Sequence, residues 1–508
     1  MTRFTVTAMI GMLCLSSFTG CGVKQVGKEE TKKSNEIVEE RFLGESIEDV
    51  QLFPMFGTSF VGDPMPYYED GVFHVFFLED RRDGKPTYHP WALLDTQNFY
   101  EYEDKGMVIP YGDSIEVQDA ALGTGSVIKD SSGLYHAYYT GHNDTYSPKE
   151  AIMHATSSDL SNWTKCPEDT FYASDKYSKD DFRDPYVLYV EEESLYWMLV
   201  TGRCENQGVL IKYTSKDLKT WAEEGIFFEN DMNSDTNLEC PSLLQYKGKW
   251  YLTFSDQWPN RQFHYRVSDS VYGPFEKPAQ DVFDGNGFYA GRLETDGEKL
   301  YAFGWNGTKN KHLDSQDYGW AGNLVVHQLV QQSDGSLVPK LNDSIKEKMN
   351  HELSPDALRM TETIVREENS YALKGEQYEV VEFEELVGSY LFECTITDFR
   401  EGERFGFAFN TDESAVGELN IVFNVEEGKL QFYNTKEIYD KQPQSEMDLA
   451  LSDKEKLDIS MLISDNVVSV YVDGQCAFTT RMYTSQGTTW GIFGINSGVR
   501  YENVKMYK

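Results

Sequence analysis

The chain is short of cysteine, short of positive charge and nearly free of long apolar runs, and each shortage closes off a class of protein. Seven cysteines occur in 508 residues, and two of them, Cys14 and Cys21, fall in the first 21 residues. The other five, Cys166, Cys204, Cys240, Cys394 and Cys476, are odd in number and show no CxxC or Cys/His spacing, so neither a disulfide scaffold nor a zinc module is expected. Lys and Arg number 46 against 84 Asp and Glu, a formal charge of −38. A phosphate backbone is repelled by that excess, which excludes nucleic acid as a partner. Hydrophobic residues at 40% and charged residues at 26% exclude wholesale disorder and a multi-span membrane protein. Helical periodicity is also scarce, confined to the leader and to Asn342 to Met349.

The one apolar run lies at the start. Arg3 precedes Phe4 to Phe18, and Thr19, Gly20 and Cys21 follow. A charged beginning, a run of this length and small residues before a cut read as an export signal. With Cys21 next after the cut, residues 1–21 resemble a bacterial lipoprotein signal in which Cys21 is lipidated, although Phe18 stands where such signals usually carry Leu. A plain cleaved signal and an uncleaved anchor are the alternatives. Residues 22–45, rich in Lys and Glu and poor in large apolar side chains, read as a flexible tether. The expected location is therefore extracytoplasmic, at the cell surface or secreted, with membrane contact only through a lipid on Cys21.

What the chain has in abundance is aromatic residues: Tyr 32, Phe 30 and Trp 9. These suit twisted sheets and sugar-facing clefts. Five aromatic, alternating segments begin at Gly71, Gly133, Ser194, Gly248 and Lys299, at intervals of 62, 61, 54 and 51 residues. This spacing predicts a five-bladed β-propeller of four-stranded sheets over 46–345. A second echo, Ala155 to Trp163 and Tyr213 to Trp221, predicts outer strands whose Asp closes a turn and whose Trp packs between blades. The rhythm stops near 345, and the charged stretch 346–370 reads as linker. From 371 to 508 alternating strands such as Leu457 to Ile463 and Val467 to Val472, the latter followed by an Asp473-Gly474 turn, predict a β-sandwich. The fold class is all-β.

The innermost strand of each blade lines a central funnel. About ten positions before each repeated segment stand Gly62-Asp63-Pro64, Gly123-Thr124-Gly125-Ser126, Arg183-Asp184-Pro185, Glu239-Cys240-Pro241 and Tyr289-Ala290-Gly291-Arg292. Taken singly, an Asp-Pro is a turn dipeptide and one Glu among many acids means nothing. Their shared phase in the repeat aims three carboxylates at one axis. Glycosidic cleavage needs such a group, one carboxyl protonated to release the leaving oxygen and another ionised to attack or to activate water. A calcium site is the competing use of three inward acids.

These ordered motifs resemble glycoside hydrolase family 32, the fructan and sucrose hydrolases. Arg183-Asp184-Pro185 and Glu239-Cys240-Pro241 match the family's pattern unchanged, Thr124 to Val127 stands for its second motif, and Phe288-Tyr289-Ala290 with Gly304-Trp305 for its fifth blade. The resemblance implies a retaining hydrolase of β-fructosidic bonds with Asp63 as nucleophile, Glu239 as acid/base and Asp184 holding sugar hydroxyls. Arg183 would orient the carboxylates, Thr124 and Ser126 would stand at substrate-contacting positions, and Tyr289 and Trp305 would line the site. It implies no cofactor and no metal, and a carbohydrate partner: a fructan, a fructo-oligosaccharide or sucrose. The first motif departs from the family pattern. Gly62, Met65 and Pro66 replace polar residues around Asp63, and Leu78 falls where a substrate-contacting Gln is usual, with Arg81 and Arg82 nearby as replacement contacts. Two other readings are an inverting arabinoside or xyloside hydrolase of the related five-bladed class, against which Cys240 after Glu239 speaks, and an inactive glycan-binding surface lipoprotein.

Overall fold

The structure is a computed structural model that describes residues 50–508 except 83–88, 258, 354, 376 and 453. The expected signal, the tether and Cys21 lie outside the described residues. Five antiparallel blades follow in chain order, and their innermost strands are Phe60–Glu69, Ala121–Lys129, Arg183–Val190, Glu239–Tyr246 and Tyr289–Thr295. Each inner strand contacts the next, and the fifth returns to the first, so the five surround one axis. The fold is a five-bladed propeller followed by a β-sandwich. The repeated aromatic segments form the second strand of each blade: Val72–Asp80, Tyr135–His142, Leu195–Cys204, Lys249–Ser255 and Leu300–Lys309. They are aromatic on both faces because blades pack face to face, and Leu300–Lys309 is buried throughout. Outer strands face water on one side, as Ala222–Glu229 does. The ring closes where Tyr318–Gln331 of blade 5 pairs with the first strand of blade 1, Val61 opposite Gly322.

The second echo serves as expected. Asp159 accepts from the backbone N–H of Ser161 and Asn162, and Asp217 from Lys219 and Thr220. Trp163 then meets Phe76 of blade 1 edge-on at 6.0 Å, and Trp221 meets Tyr138 of blade 2 at 5.4 Å. Each tryptophan thus seals its blade against the preceding one.

A short helix, Asp343–Lys348, ends the propeller, with Asn342 accepting from the N–H of Ser344 as its cap. The sandwich has an eight-stranded and a seven-stranded sheet over a core that includes Phe405, Phe407, Phe423 and Trp490. The expected linker 346–370 is corrected here. Glu352–Leu353 and Ala357–Met360 add strands to the two sheets, and Val365–Glu367 pairs with Ser370–Ala372. These are sheet-edge strands whose exposed charged side chains hide the alternation that marks a strand in sequence. The sandwich grips blade 5 through Arg481, which donates to the carbonyls of Asn306 and Gly307 and to Asn323 Oδ1 at 2.6 to 2.8 Å.

Candidate active site

All five inner strands carry the same irregularity at the same place. Two residues oppose one on the second strand between Gly62 and Met65, Leu122 and Gly125, Arg183 and Tyr186, Glu239 and Ser242, and Tyr289 and Arg292. Such a bulge bends the strand and re-aims its side chains. It also explains Pro64, Pro185 and Pro241, which a regular inner ladder would not accept. The first bulge residue takes positive φ in four blades: Asp63 at 44°, Asp184 at 57°, Cys240 at 52° and Ala290 at 50°. For residues with a Cβ this conformation costs about 1–3 kcal/mol each, which the surrounding ring must supply.

The bulge alignment refines the phase read from the sequence. Asp63 and Asp184 share the first bulge position, whereas Glu239 sits one residue earlier, level with Arg183 and Tyr289. The three carboxylates are therefore held differently. Asp63 Oδ1 accepts from Trp305 Nε1 at 3.0 Å, and its Oδ2 accepts from the Thr124 hydroxyl at 2.8 Å. Asp184 Oδ2 accepts from the Cys240 backbone N–H at 2.9 Å. Glu239 is clasped by three side chains: Arg183 Nη2 and Gln257 Nε2 donate to Oε1, both at 2.9 Å, and the Tyr289 hydroxyl lies 2.7 Å from Oε2. Arg183 also reaches Asp181 at 3.1 Å and Glu150 at 3.4 Å, which fixes the guanidinium plane.

Thr140 couples the blades beneath. Its hydroxyl donates to the Thr124 carbonyl at 3.0 Å and accepts from the Asp184 N–H at 2.9 Å. Burial sets the electrostatics. Asp184 is 4% exposed, and loss of solvent pushes its carboxyl up to about 7 against the pull of Arg183. The Asp63 carboxyl is also raised by burial, with the Thr124 and Trp305 hydrogen bonds opposing.

The structure brings Asp63, Asp184, Glu239, Arg183, Thr124, Tyr289 and Trp305 together. It does not bring Ser126 to them. Two residues past the bulge, Ser126 points between blades, donating to the Pro185 carbonyl at 3.0 Å and accepting from the Val187 N–H at 2.9 Å. Strand alternation turns it from the funnel, and it staples blade 2 to blade 3. Arg81 and Arg82 are engaged with protein. Arg81 pairs with Glu79, while Arg82 binds Asp80 and donates to Thr308 and the Trp320 carbonyl.

Three residues escaped the sequence reading, and a fourth, Arg292, stood in the fifth in-phase motif without a role. Gln257 lies outside every motif. Arg261 stacks on Tyr289 and Trp305 at 4.8 and 4.6 Å from a loop. Trp320 fills the space beside Gly62, where an added Cβ would meet its ring at 2.5 Å, and packs on His89. Arg292 follows the fifth bulge and is 1% exposed. Its Nη1 donates to the Gly125 carbonyl, and its Nε and Nη2 have no hydrogen-bond partner among the described residues. It makes no ion pair among the described residues, and its charge faces the Asp63 and Asp184 carboxylates across the core.

Comparison with known proteins agrees with this geometry. Residues 58–340 match the family model described as glycosyl hydrolases family 32 N-terminal domain, and residues 354–508 match glycosyl hydrolases family 32 C terminal. A sucrose-6-phosphate hydrolase of Staphylococcus xylosus is 22% identical over 82% of this chain and 86% of its own. A levanbiose-producing levanase of Bacillus subtilis is 25% identical over 54% of this chain and 57% of its own. Among solved structures, a sucrose-6-phosphate hydrolase from Lactobacillus gasseri superposes with a TM-score of 0.70 at 17% identity, covering 94% of this chain and 96% of that one. The fructan 1-exohydrolase IIa from Cichorium intybus gives 0.69 at 14% identity, covering 91% and 98%. With both domains matched in order, the chain belongs to glycosyl hydrolase family 32.

Proposed function

We propose that the chain is a retaining β-fructosidase acting on fructans, fructo-oligosaccharides or sucrose, with Asp63 as nucleophile and Glu239 as acid/base. The observation that carries this reading is the unequal dressing of three convergent carboxylates in a family 32 chain. Asp63 is oriented by two neutral donors, so its negative charge is not cancelled by an adjacent ion pair. Glu239 sits in a cage of Arg183, Gln257 and Tyr289, where proton transfer to and from a glycosidic oxygen is geometrically fixed. In the first step Glu239 gives its proton to the departing oxygen while an Asp63 oxygen bonds to the anomeric carbon. In the second, ionised Glu239 takes a proton from water, whose oxygen displaces Asp63 and restores both groups. Asp184 accepts from fructose hydroxyls and shares the positive charge that develops on the ring. Relatives named for sucrose-6-phosphate, levan and fructan support the β-fructoside class, and the family match disfavours the arabinoside and xyloside reading.

The export leader adds a location. Arg3, the apolar run and Gly20-Cys21 support a lipid-anchored enzyme working outside the cytoplasm. A Cys21→Ala chain is expected to leave the membrane fraction, and its retention there would contradict the anchor. The activity is tested by following sugar release from sucrose, inulin, levan, arabinan and xylan, beside Glu239→Gln. Fructose lost in the variant is the expected result, and pentose release would overturn the reading.

A further inference from the structure

The outer part of blade 2 carries a second group of reactive side chains, away from the funnel and unused by the reaction above. His136 on the second strand and His154 on the third, Glu150–Ser157, lie with rings parallel to within 4° and centroids 5.1 Å apart. Nδ1 of His136 and Nε2 of His154 face each other at 2.9 Å. Each ring's other nitrogen meets a carboxylate, His136 Nε2 at 3.3 Å from Asp130 Oδ2 and His154 Nδ1 at 2.7 Å from Asp169 Oδ2. Cys166 brings a sulfur to the same place. One ligand atom from each of His154, Cys166 and Asp169 lies within 4.8 Å of the others. The two imidazoles are buried, while Cys166 and Asp169 are half-buried at the surface.

The row Asp130, His136, His154, Asp169 has three polar gaps, and each needs one hydrogen. Two neutral imidazoles bring one each, so one gap is left without. The gap beside the thiol is the one a cation can fill. With an ion on His154 Nδ1, Asp169 and Cys166, His154 donates from Nε2 to His136, and His136 donates from Nε2 to Asp130. Every gap is then satisfied. A ring that binds metal through one nitrogen and is fixed through the other by an acceptor is the usual outer-shell arrangement.

We propose that His154, Cys166 and Asp169 form a binding site for a zinc-class divalent metal ion, supported by His136 and Asp130 and open to solvent at a fourth position. Imidazole, thiolate and carboxylate together suit zinc or cobalt, whereas magnesium and calcium favour all-oxygen sets. On binding, the Cys166 thiol releases its proton to solvent and its sulfur becomes a ligand, with no change of oxidation state. The ion would tie the third strand of blade 2 to the turn Pro167–Asp169. Eleven residues separate His154 from Cys166, which is why the cysteine spacing gave no zinc signal.

Cobalt(II) is the probe. The chelator-treated full chain is titrated with it, and a thiolate-to-cobalt charge-transfer band should saturate at one equivalent and be bleached by zinc. The band should vanish in Cys166→Ser and, independently, binding should weaken by at least tenfold in Asp169→Asn. His136→Gln should keep the band but bind about 10–100-fold more weakly. Absence of the band in the parent chain, or its survival in Cys166→Ser, overturns the proposal. Because Cys166 is half-exposed, an unchanged thermal transition of Cys166→Ser in chelator separates lost ligation from lost folding.

Discussion

Glu239 holds on blade 4 the ladder position that Arg183 holds on blade 3, and the two side chains meet in a 2.9 Å ion pair. Asp63 and Asp184 hold the next position, inside the bulge, and accept from uncharged donors on neighbouring blades. A one-residue offset within a shared bulge thus gives Glu239 a cation and leaves Asp63, the proposed nucleophile, without a paired ion. The two kinds of carboxylate are set in different surroundings by backbone geometry before any substrate arrives.

Glu239→Gln keeps the hydrogen-bond geometry and removes the proton. Turnover of a fructoside with a poor leaving group should fall by about 10²–10⁴. A fructoside with an activated leaving group, which departs without help, should lose far less in its first step. Steady-state and burst-phase rates on the two substrates check this, and equal losses on both would remove Glu239 from acid catalysis.

Arg292 is a buried guanidinium whose Nε and Nη2 have no hydrogen-bond partner among the described residues, and its charge favours the ionised forms of Asp63 and Asp184. Losing that cation raises the carboxyl pKa values, so the acid limb of kcat/KM should move to higher pH in Arg292→Met. Arg292→Lys should restore much of the shift. An unmoved limb in a folded Arg292→Met chain would reduce Arg292 to a packing residue.

Asp184 carries a carboxyl pushed up to about 7 by burial, above its unfolded value of 3.8. The folded chain therefore binds the extra proton between those limits, and stability from this group is full below about 4 and lost as pH rises through 7. Asp184→Asn, which cannot ionise, should raise the thermal midpoint at pH 8 and change it little at pH 4. The gain is at most about 4 kcal/mol, from roughly three pH units at 1.36 kcal/mol each. Thermal scans at the two pH values decide it, since equal midpoint shifts would contradict a buried, reluctantly ionised Asp184.

Gly62 gives its space to Trp320, whose ring an added Cβ would overlap. Gly62→Ala should cost about 1–3 kcal/mol in stability and raise KM by displacing the indole that packs on Trp305. In a Trp320→Ala background the same change should be nearly silent. A double-mutant cycle measures the coupling, and additive effects would show that the two residues do not meet.

The propeller was legible because its second strands repeat a recognisable chemistry, aromatic residues buried on both faces at blade intervals. The motif pairs Arg183-Asp184 and Glu239-Cys240 were legible for the same reason. The offset between Glu239 and the two aspartates was not, since a bulge inserts a residue without a compositional mark except Pro64, Pro185 and Pro241. Gln257 was invisible as a site residue because tertiary packing rather than a motif brings it in, and Arg292, though in phase with the fifth motif, carried no mark of its burial beside the carboxylates. Ser126 misled because two residues past a bulge a strand side chain faces the neighbouring blade. The stretch 346–370 misled because edge strands with solvated charges look like linker.

In the proposed reaction Asp63 forms the bond to fructose and Glu239 helps water to break it. In Glu239→Gln, an activated β-fructoside should load the enzyme quickly and leave it slowly, so the intermediate accumulates. Rapid acid quench and peptide mass analysis should find one fructosyl group per chain, on the peptide containing Asp63 and absent in Asp63→Asn. A fructosyl group on any other residue, or fructose released with inverted configuration and no adduct, would contradict the account.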